Sequence, residues 1–202
     1  EELQRTVPVI RKIRTLSDVP VSIDTTKAEV ARQALEAGAD IINDISALRA
    51  EPAMVKVVEA FGCPVVIMHM QGTPQTMQQA PQYDDVVAEI NDFFAERVNW
   101  LERNGISRER IILDPGIGFG KTLEHNLTIL RNAAEFKVHQ CPLLIGHSRK
   151  SFFPKLLGEL GVKERDCPSA VVSALCCKQK VEILRVHNVR LTRQAVQLAE
   201  VL

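Results

Sequence analysis

Six short apolar runs in this 202-residue chain each give way at once to polar side chains. The junctions are Asp24-Thr25-Thr26, Asn43-Asp44, His69-Met70-Gln71-Gly72, Asp114-Pro115-Gly116, His147-Ser148-Arg149-Lys150 and Arg185-Val186-His187-Asn188. Asp24, Asn43 and Asp114 supply carboxylates and an amide that both donates and accepts. That set suits a flat heterocycle whose ring N–H, amino and carbonyl groups need paired partners. Carboxylates can also hold Mg²⁺, which prefers oxygen ligands. Ser148, Arg149, Lys150, Arg185 and His187 supply a hydroxyl and positive charge. The helix N-termini expected just past the strands add free N–H groups for an anion. A substrate with a polar ring and a phosphate tail matches both halves. Turns and N-caps also favour Asp, Asn and Ser, so no single junction decides the matter. Six together favour a functional reading.

The elements that must position these groups follow from periodicity. The apolar runs are V-P-V-S-I-D (19–24), A-D-I-I-N (39–43), P-V-V-I-M-H (64–69), R-I-I-L-D (110–114), P-L-L-I-G-H (142–147) and E-I-L-R-V-H (182–187). They are largely continuous rather than alternating, as expected of parallel strands covered on both faces. Helical segments separate them: from Lys27 to Gly38, from Pro52 to Gly62, from Asp84 to Gly105, Leu123 to Phe136, Pro168 to Lys178 and Leu191 to Leu202. Strand–helix alternation specifies an α/β architecture with a parallel sheet. An open sheet needs polar strand ends only beside its switch point, whereas a (β/α)8 barrel brings every strand end to one pocket. The six polar junctions therefore favour a TIM (β/α)8 barrel lacking its first two strands, in one domain over 1–202. The opening residues E-E-L-Q-R-T-V-P-V-I-R-K-I, with Leu3, Val7, Ile10 and Ile13 on one helical face, fit a chain whose N-terminal part lies upstream.

Composition narrows the function classes. Lys plus Arg and Asp plus Glu number 25 each, so no global field favours nucleic acid or an anionic membrane. No apolar run is long enough to span a bilayer. The five cysteines, Cys63, Cys141, Cys167, Cys176 and Cys177, form no C-x-x-C pair and read as free thiols in a reducing cytosol.

The run I-I-L-D-P-G-I-G-F-G-K-T (111–122) tests the phosphate-loop alternatives. With Gly120-Lys121-Thr122 in place, a P-loop needs glycine at 115, where Pro115 stands. The dinucleotide pattern starting at Gly116 and Gly118 needs a third glycine at 121, where Lys121 stands. Neither pattern fits.

The stretches V-S-I-D-T-T-K (21–27), I-N-D-I (42–45), I-M-H-M-Q-G-T-P-Q-T-M-Q (67–78), L-D-P-G-I-G-F-G-K (113–121), I-G-H-S-R-K-S-F (145–152) and L-R-V-H (184–187) resemble the dihydropteroate synthases, in that family's motif order. The resemblance implies a transferase of folate biosynthesis, a class of sulfonamide targets. Its two substrates would be p-aminobenzoate and 6-hydroxymethyl-7,8-dihydropterin pyrophosphate. It also implies pterin contacts at Asp24, Asn43, Asp114 and Lys150, with Met68 and Gly146 lining the slot. Arg185 and His187 would take the pyrophosphate, and Arg185 would also cover the pterin face. Phe119 and Lys150 would pack the p-aminobenzoate ring beside Ser151. Catalysis falls to Asp24, Asp114, Lys150 and Arg185, with Mg²⁺ as cofactor; the family's metal-binding Asn lies in the absent N-terminal part. A cytoplasmic homodimer is the implied setting. On this reading the 111–122 run is a barrel loop that bends closely round a planar ligand, with Phe119 presenting an aromatic face and Lys121 peripheral.

Three departures accompany the resemblance. The family's first two strands and their loops are absent, which puts the activity of these 202 residues alone in question. Asn188 stands where Asp is usual, which should leave His187 with a weaker orienting partner and a lower pKa. K-Q-K-V-E (178–182) replaces a Gly-Ala turn. The alternatives are a pterin-binding methyltransferase domain, which has no use for a cationic pyrophosphate site, and an inactive pterin-binding relic.

Overall fold

The computed structural model describes residues 1–73 and 75–202; Pro74, inside the 67–78 motif, lies outside the described residues. The chain divides into two compact units, Glu1–Met68 with Ala95–Leu113, and His69–Phe94 with Asp114–Leu202.

The first unit runs α1 (Glu2–Arg14), β1 (Ser22–Asp24), α2 (Ala28–Glu36), β2 (Ile41–Asp44), α3 (Ala53–Phe61) and β3 (Val65–Met68). It also takes the later part of α4 (Val86–Arg103) and β4 (Ile111–Asp114) as far as Leu113. The sheet order is β1-β2-β3-β4. β1 pairs with β2 in parallel, with Asp24 opposite Asn43, and β2 pairs with β3 in parallel, with Asn43 opposite Val66. Every residue of β3 and β4 is buried, which is why those runs read as unbroken apolar stretches. α2 turns Ala28, Val30, Ala31, Ala34 and Leu35 inward, and α3 ends at Gly62, whose φ of 64° makes the left-handed cap that glycine accepts freely. Arg14 ties α1 down. Its side chain donates to the carbonyls of Gly38 and Val19, at 2.6 Å each, and pairs with Asp40.

The second unit contains α5 (Leu123–Arg131), β5 (Leu144–Ile145), α6 (Phe152–Leu157), α7 (Asp166–Lys178), β6 (Ile183–Leu184) and α8 (Val189–Val201). β5 and β6 pair in parallel, Leu144 opposite Ile183 and Ile145 opposite Leu184. Two sequence expectations need correction. The helix expected over Leu123–Phe136 stops at Arg131, and Ala133–His139 continues as a 3₁₀ turn ended by Gln140 at φ 54°. The short helix α6 had no amphipathic period long enough to announce it. The start of α5 is firmly specified: Thr122 Oγ1 accepts from His125 N, and the His125 ring accepts from Thr122 N, in a capping box. At the departure over 178–182, Lys180 occupies φ 63°, the region that a Gly-Ala turn would fill without strain.

All six expected strands are present, each shorter than its apolar run. Among the described residues no helix is long and apolar enough to cross a membrane.

Candidate active site

In the first unit, strand register brings Asp24 and Asn43 side by side, and Asn43 Nδ2 donates to Asp24 Oδ2 at 3.0 Å. Asn43 is buried, and its Oδ1 has no hydrogen-bond partner among the described residues. A buried amide oxygen with an open acceptor is costly unless something supplies a donor. A ring N–H or amino group would do so. Met68, at the end of β3, is fully buried. Asp44, next to Asn43, serves the fold. Its Oδ1 accepts from Ser46 N and Ser46 Oγ at 2.7 Å, and its Oδ2 from Leu48 N at 3.1 Å. Those bonds hold a turn in which Ala47 and Leu48 both have positive φ, and Arg97 donates to the Ala47 carbonyl at 2.8 Å. Burial pushes the Asp44 pKa up.

In the second unit the arrangement centres on Asp114, which is 1% exposed. Its Oδ1 accepts from Gly116 N at 2.8 Å and its Oδ2 from Arg185 Nη2 at 3.2 Å. Burial raises its pKa against the opposing pull of Arg185, the Gly116 N–H, Lys150 and Lys121. The Arg185 guanidinium lies over Gly146: a Cβ there would sit 2.8 Å from Arg185 Nη2. A side chain at 146 would make the guanidinium shift from this position. Lys150 Nζ stands 4.1 Å from the centre of the Phe119 ring, a cation–π contact, and burial lowers its pKa. His187 is exposed, and its Nδ1 lies 3.0 Å from Ser148 Oγ, which also accepts from His187 N at 3.2 Å. The orienting partner of His187 is thus Ser148, while Asn188 caps α8 through Leu191 N and donates to Asp166. Ser151 is exposed at the start of α6.

The other strand-end residues serve the fold. His147 is fully buried, bonded to Ser169 O at 2.8 Å and Ser173 Oγ at 3.0 Å. Arg149 grips Asp166 with two bonds, at 2.6 and 2.9 Å, which hold the Asp166 carboxyl down at about 2.

Lys121 corrects an expectation. Read as peripheral, it is 3% exposed, with Nζ 3.1 Å from His69 Nδ1 and 3.0 Å from the Phe119 carbonyl. Sequence reasoning had no signal for this, because lysine is among the residues least often buried. Burial lowers its pKa to about 7, Asp114 pulling it upward and Lys150 pushing it further down. A folded value so far below the ordinary 10.4 means that the unfolded chain holds the extra proton between the two. Stability must then rise with pH above about 7, by at most about 1.4 kcal/mol per unit. Relative to Lys121→Met, which removes the titration, the protein should gain about 2 kcal/mol between pH 7 and about 8.5 in urea unfolding. Above that range the buried thiols of Cys63 and Cys176, the latter raised to about 12, titrate with the opposite sign.

Among the described residues no three His, Cys, Asp or Glu side chains converge on a point, so they form no ready-made metal cage.

The comparisons agree with this chemistry. The family described as "Pterin binding enzyme" matches residues 1–187. A dihydropteroate synthase of Synechocystis is 46% identical over all of this chain and 70% of its own length, and that of Escherichia coli is 46% identical over 99% and 70%. A crystal structure of the Yersinia pestis enzyme in complex with a sulfonamide drug superposes with a TM-score of 0.95 at 39% identity, covering 98% of this chain and 72% of its own. The Xanthomonas albilineans enzyme in complex with 7,8-dihydropteroate gives 0.92 at 37%, covering 98% and 72%. The chain thus shares the TIM (β/α)8-barrel fold of these enzymes and spans about 70% of their length. With its acid–amide pair, its buried Asp114 held by Arg185 and these matches together, the chain belongs to the pterin-binding enzyme family, among the dihydropteroate synthases.

Proposed function

We propose that this chain joins p-aminobenzoate to 6-hydroxymethyl-7,8-dihydropterin pyrophosphate, giving 7,8-dihydropteroate and pyrophosphate, with residues 1–202 acting as one pterin-binding domain. The observation that carries the assignment is the single guanidinium of Arg185, packed on Gly146 and bonded to the buried Asp114. It joins an acid suited to a pterin ring to a cation suited to a diphosphate. A methyltransferase would have no use for the second.

Each side chain then has a role. Asp24, Asn43, Asp114 and Lys150 pair with the pterin edge, the open Asn43 Oδ1 accepting from an N–H of the ring, while Met68 and Gly146 line the slot. Arg185 and His187 receive the pyrophosphate, and Arg185 also covers the pterin face. Phe119, Lys150 and Ser151 take the arylamine. The methylene C–O bond to pyrophosphate breaks first, leaving a delocalised pterin cation. The Asp114 and Asp24 carboxylates stabilise that cation, and Arg185 and His187 stabilise the departing anion. The p-aminobenzoate nitrogen then forms the C–N bond and releases a proton. Mg²⁺, when bound, would supply positive charge against the pyrophosphate oxygens. A cytoplasmic homodimer is the proposed setting, in keeping with five free cysteines.

Calorimetry with the pterin pyrophosphate and then p-aminobenzoate, followed by a turnover assay with Mg²⁺, tests the proposal. Binding of both and formation of dihydropteroate is the expected result. Binding of the first alone indicates a relic, and indifference to p-aminobenzoate combined with binding of methyltetrahydrofolate indicates a methyltransferase.

A further inference from the structure

We propose that Lys121 is a positioning residue for the arylamine side of the site: anchored on His69, it holds the Phe119 carbonyl and thereby fixes the Phe119 ring against Lys150. This rests on the assignment of Phe119 and Lys150 to p-aminobenzoate made above.

Three successive carbonyls of the glycine loop each accept from a different side chain. Gly118 O accepts from Gln78 Nε2 at 2.7 Å, Phe119 O from Lys121 Nζ at 3.0 Å, and Gly120 O from Tyr83 Oη at 2.9 Å. Phe119 N is also engaged, donating to Gly116 O at 3.0 Å, and Gly118 N donates to Asn126 Oδ1 at 2.7 Å. These bonds differ in what they contribute. Gln78 is exposed, so water can replace much of what it gives; the Tyr83 and Lys121 bonds are both part-buried, but Lys121 is 3% exposed whereas Tyr83 is half-buried. In its protonated form, the buried lysine is a charge-assisted donor, worth roughly twice a neutral one. The lysine Nζ also meets His69, at 3.1 Å from Nδ1 and 3.5 Å from the carbonyl, and the His69 ring stands edge-on to Phe93 with centroids 5.0 Å apart. Lys121 is therefore a buried side-chain tether on the residue whose ring faces Lys150.

The test is Lys121→Met, which keeps length and removes every donor. In protein labelled with ¹³C-lysine, the Lys150 ε-methylene signal should carry an upfield ring-current shift from Phe119, assigned by its loss in Phe119→Leu. In Lys121→Met that shift should collapse. Lys121→Gln, which keeps one donor for the Phe119 carbonyl, should restore part of it and serves also if the Met variant folds poorly. In steady-state kinetics Lys121→Met should raise KM for p-aminobenzoate about tenfold, short of the hundredfold that a 1 Å misplacement can cost, while KM for the pterin pyrophosphate changes less than about twofold. In a Phe119→Leu background the Lys121 effect should vanish. An unmoved Lys150 signal in folded Lys121→Met, or an equal rise in both KM values, overturns the proposal. Absence of turnover in the unaltered protein would instead count against the synthase assignment, while the ring-current arm still decides the tether.

Discussion

Asp114→Asn should lower kcat/KM for dihydropteroate formation by about two to three orders of magnitude, the loss typical of removing one preorganised group from a developing charge. The amide can still accept the Gly116 N–H that Oδ1 now accepts at 2.8 Å, so the loop has a reason to stay in place. What it cannot do is balance charge. Arg185, Lys150 and Lys121 all act on this carboxylate, which is 1% exposed, and a neutral side chain leaves the Arg185 guanidinium and the two lysines without it. Because Arg185 is itself 40% exposed at its side chain, water relieves part of the imbalance, and the stability loss should stay nearer 1–3 kcal/mol, roughly, than the larger cost of breaking a fully buried pair. The measurement is kinetic parameters alongside a thermal melt. A melt that shifts while kcat/KM falls by less than about tenfold would assign Asp114 to the fold and withdraw its catalytic role.

Gly116→Ala should destabilise the protein by at least about 4 kcal/mol, the range reserved for mutations that collide with fixed structure. A Cβ at this position would lie 2.0 Å from the His69 carbonyl oxygen and 3.4 Å from Lys121 Nζ, and the backbone φ is 72°. The left-handed backbone alone costs alanine roughly 1–2 kcal/mol. The rest comes from the collision, because the obstacle is backbone in a strand-end segment: His69 N is itself bonded to the Asp114 carbonyl at 2.9 Å. Gly62 provides the control, since its φ of 64° is similar and a Cβ there meets nothing among the described residues within 4 Å. Gly62→Ala should therefore show only the conformational cost, and the difference between the two variants isolates the collision. For a chain of this length each kcal/mol shifts the midpoint by about 2–4 °C, so the two melts should separate by several degrees. Equal shifts would mean that the His69 segment yields easily and that the glycine loop is soft.

Much of this was legible in the residues. All six strands coincide with apolar runs; for β3, β4 and β5 the reason is burial at every position, which admits no polar alternation, whereas β1 alternates and β6 is half-buried. The pairing of Asp24 with Asn43 follows once the two strands are adjacent and in register. The helix boundaries set by caps, Thr122 and Gly62, were local signals and were readable as such. Three features were not. Helix α6 spans six residues, too few for a period to show. The chain after Asn132 tightens into a 3₁₀ turn that no residue type dictates. The partner of His187 is Ser148, 39 positions away, rather than the neighbouring residue 188.

By itself, the sequence determined the order of strands and helices, the chemical types at their ends and the glycines where backbone would bend, since each depends on neighbours along the chain. Only the tertiary structure decided which of those groups meet. Arg185 reaches Asp114 across 71 positions and Lys121 reaches His69 across 52. The same folding removed water from Asp114 and Lys121, and loss of water is what raises the pKa of the acid and lowers that of the base. Desolvation belongs to a place in space, not to a residue type, and so a lysine that the sequence reading left as peripheral is one of the most deeply buried titratable side chains in the second unit.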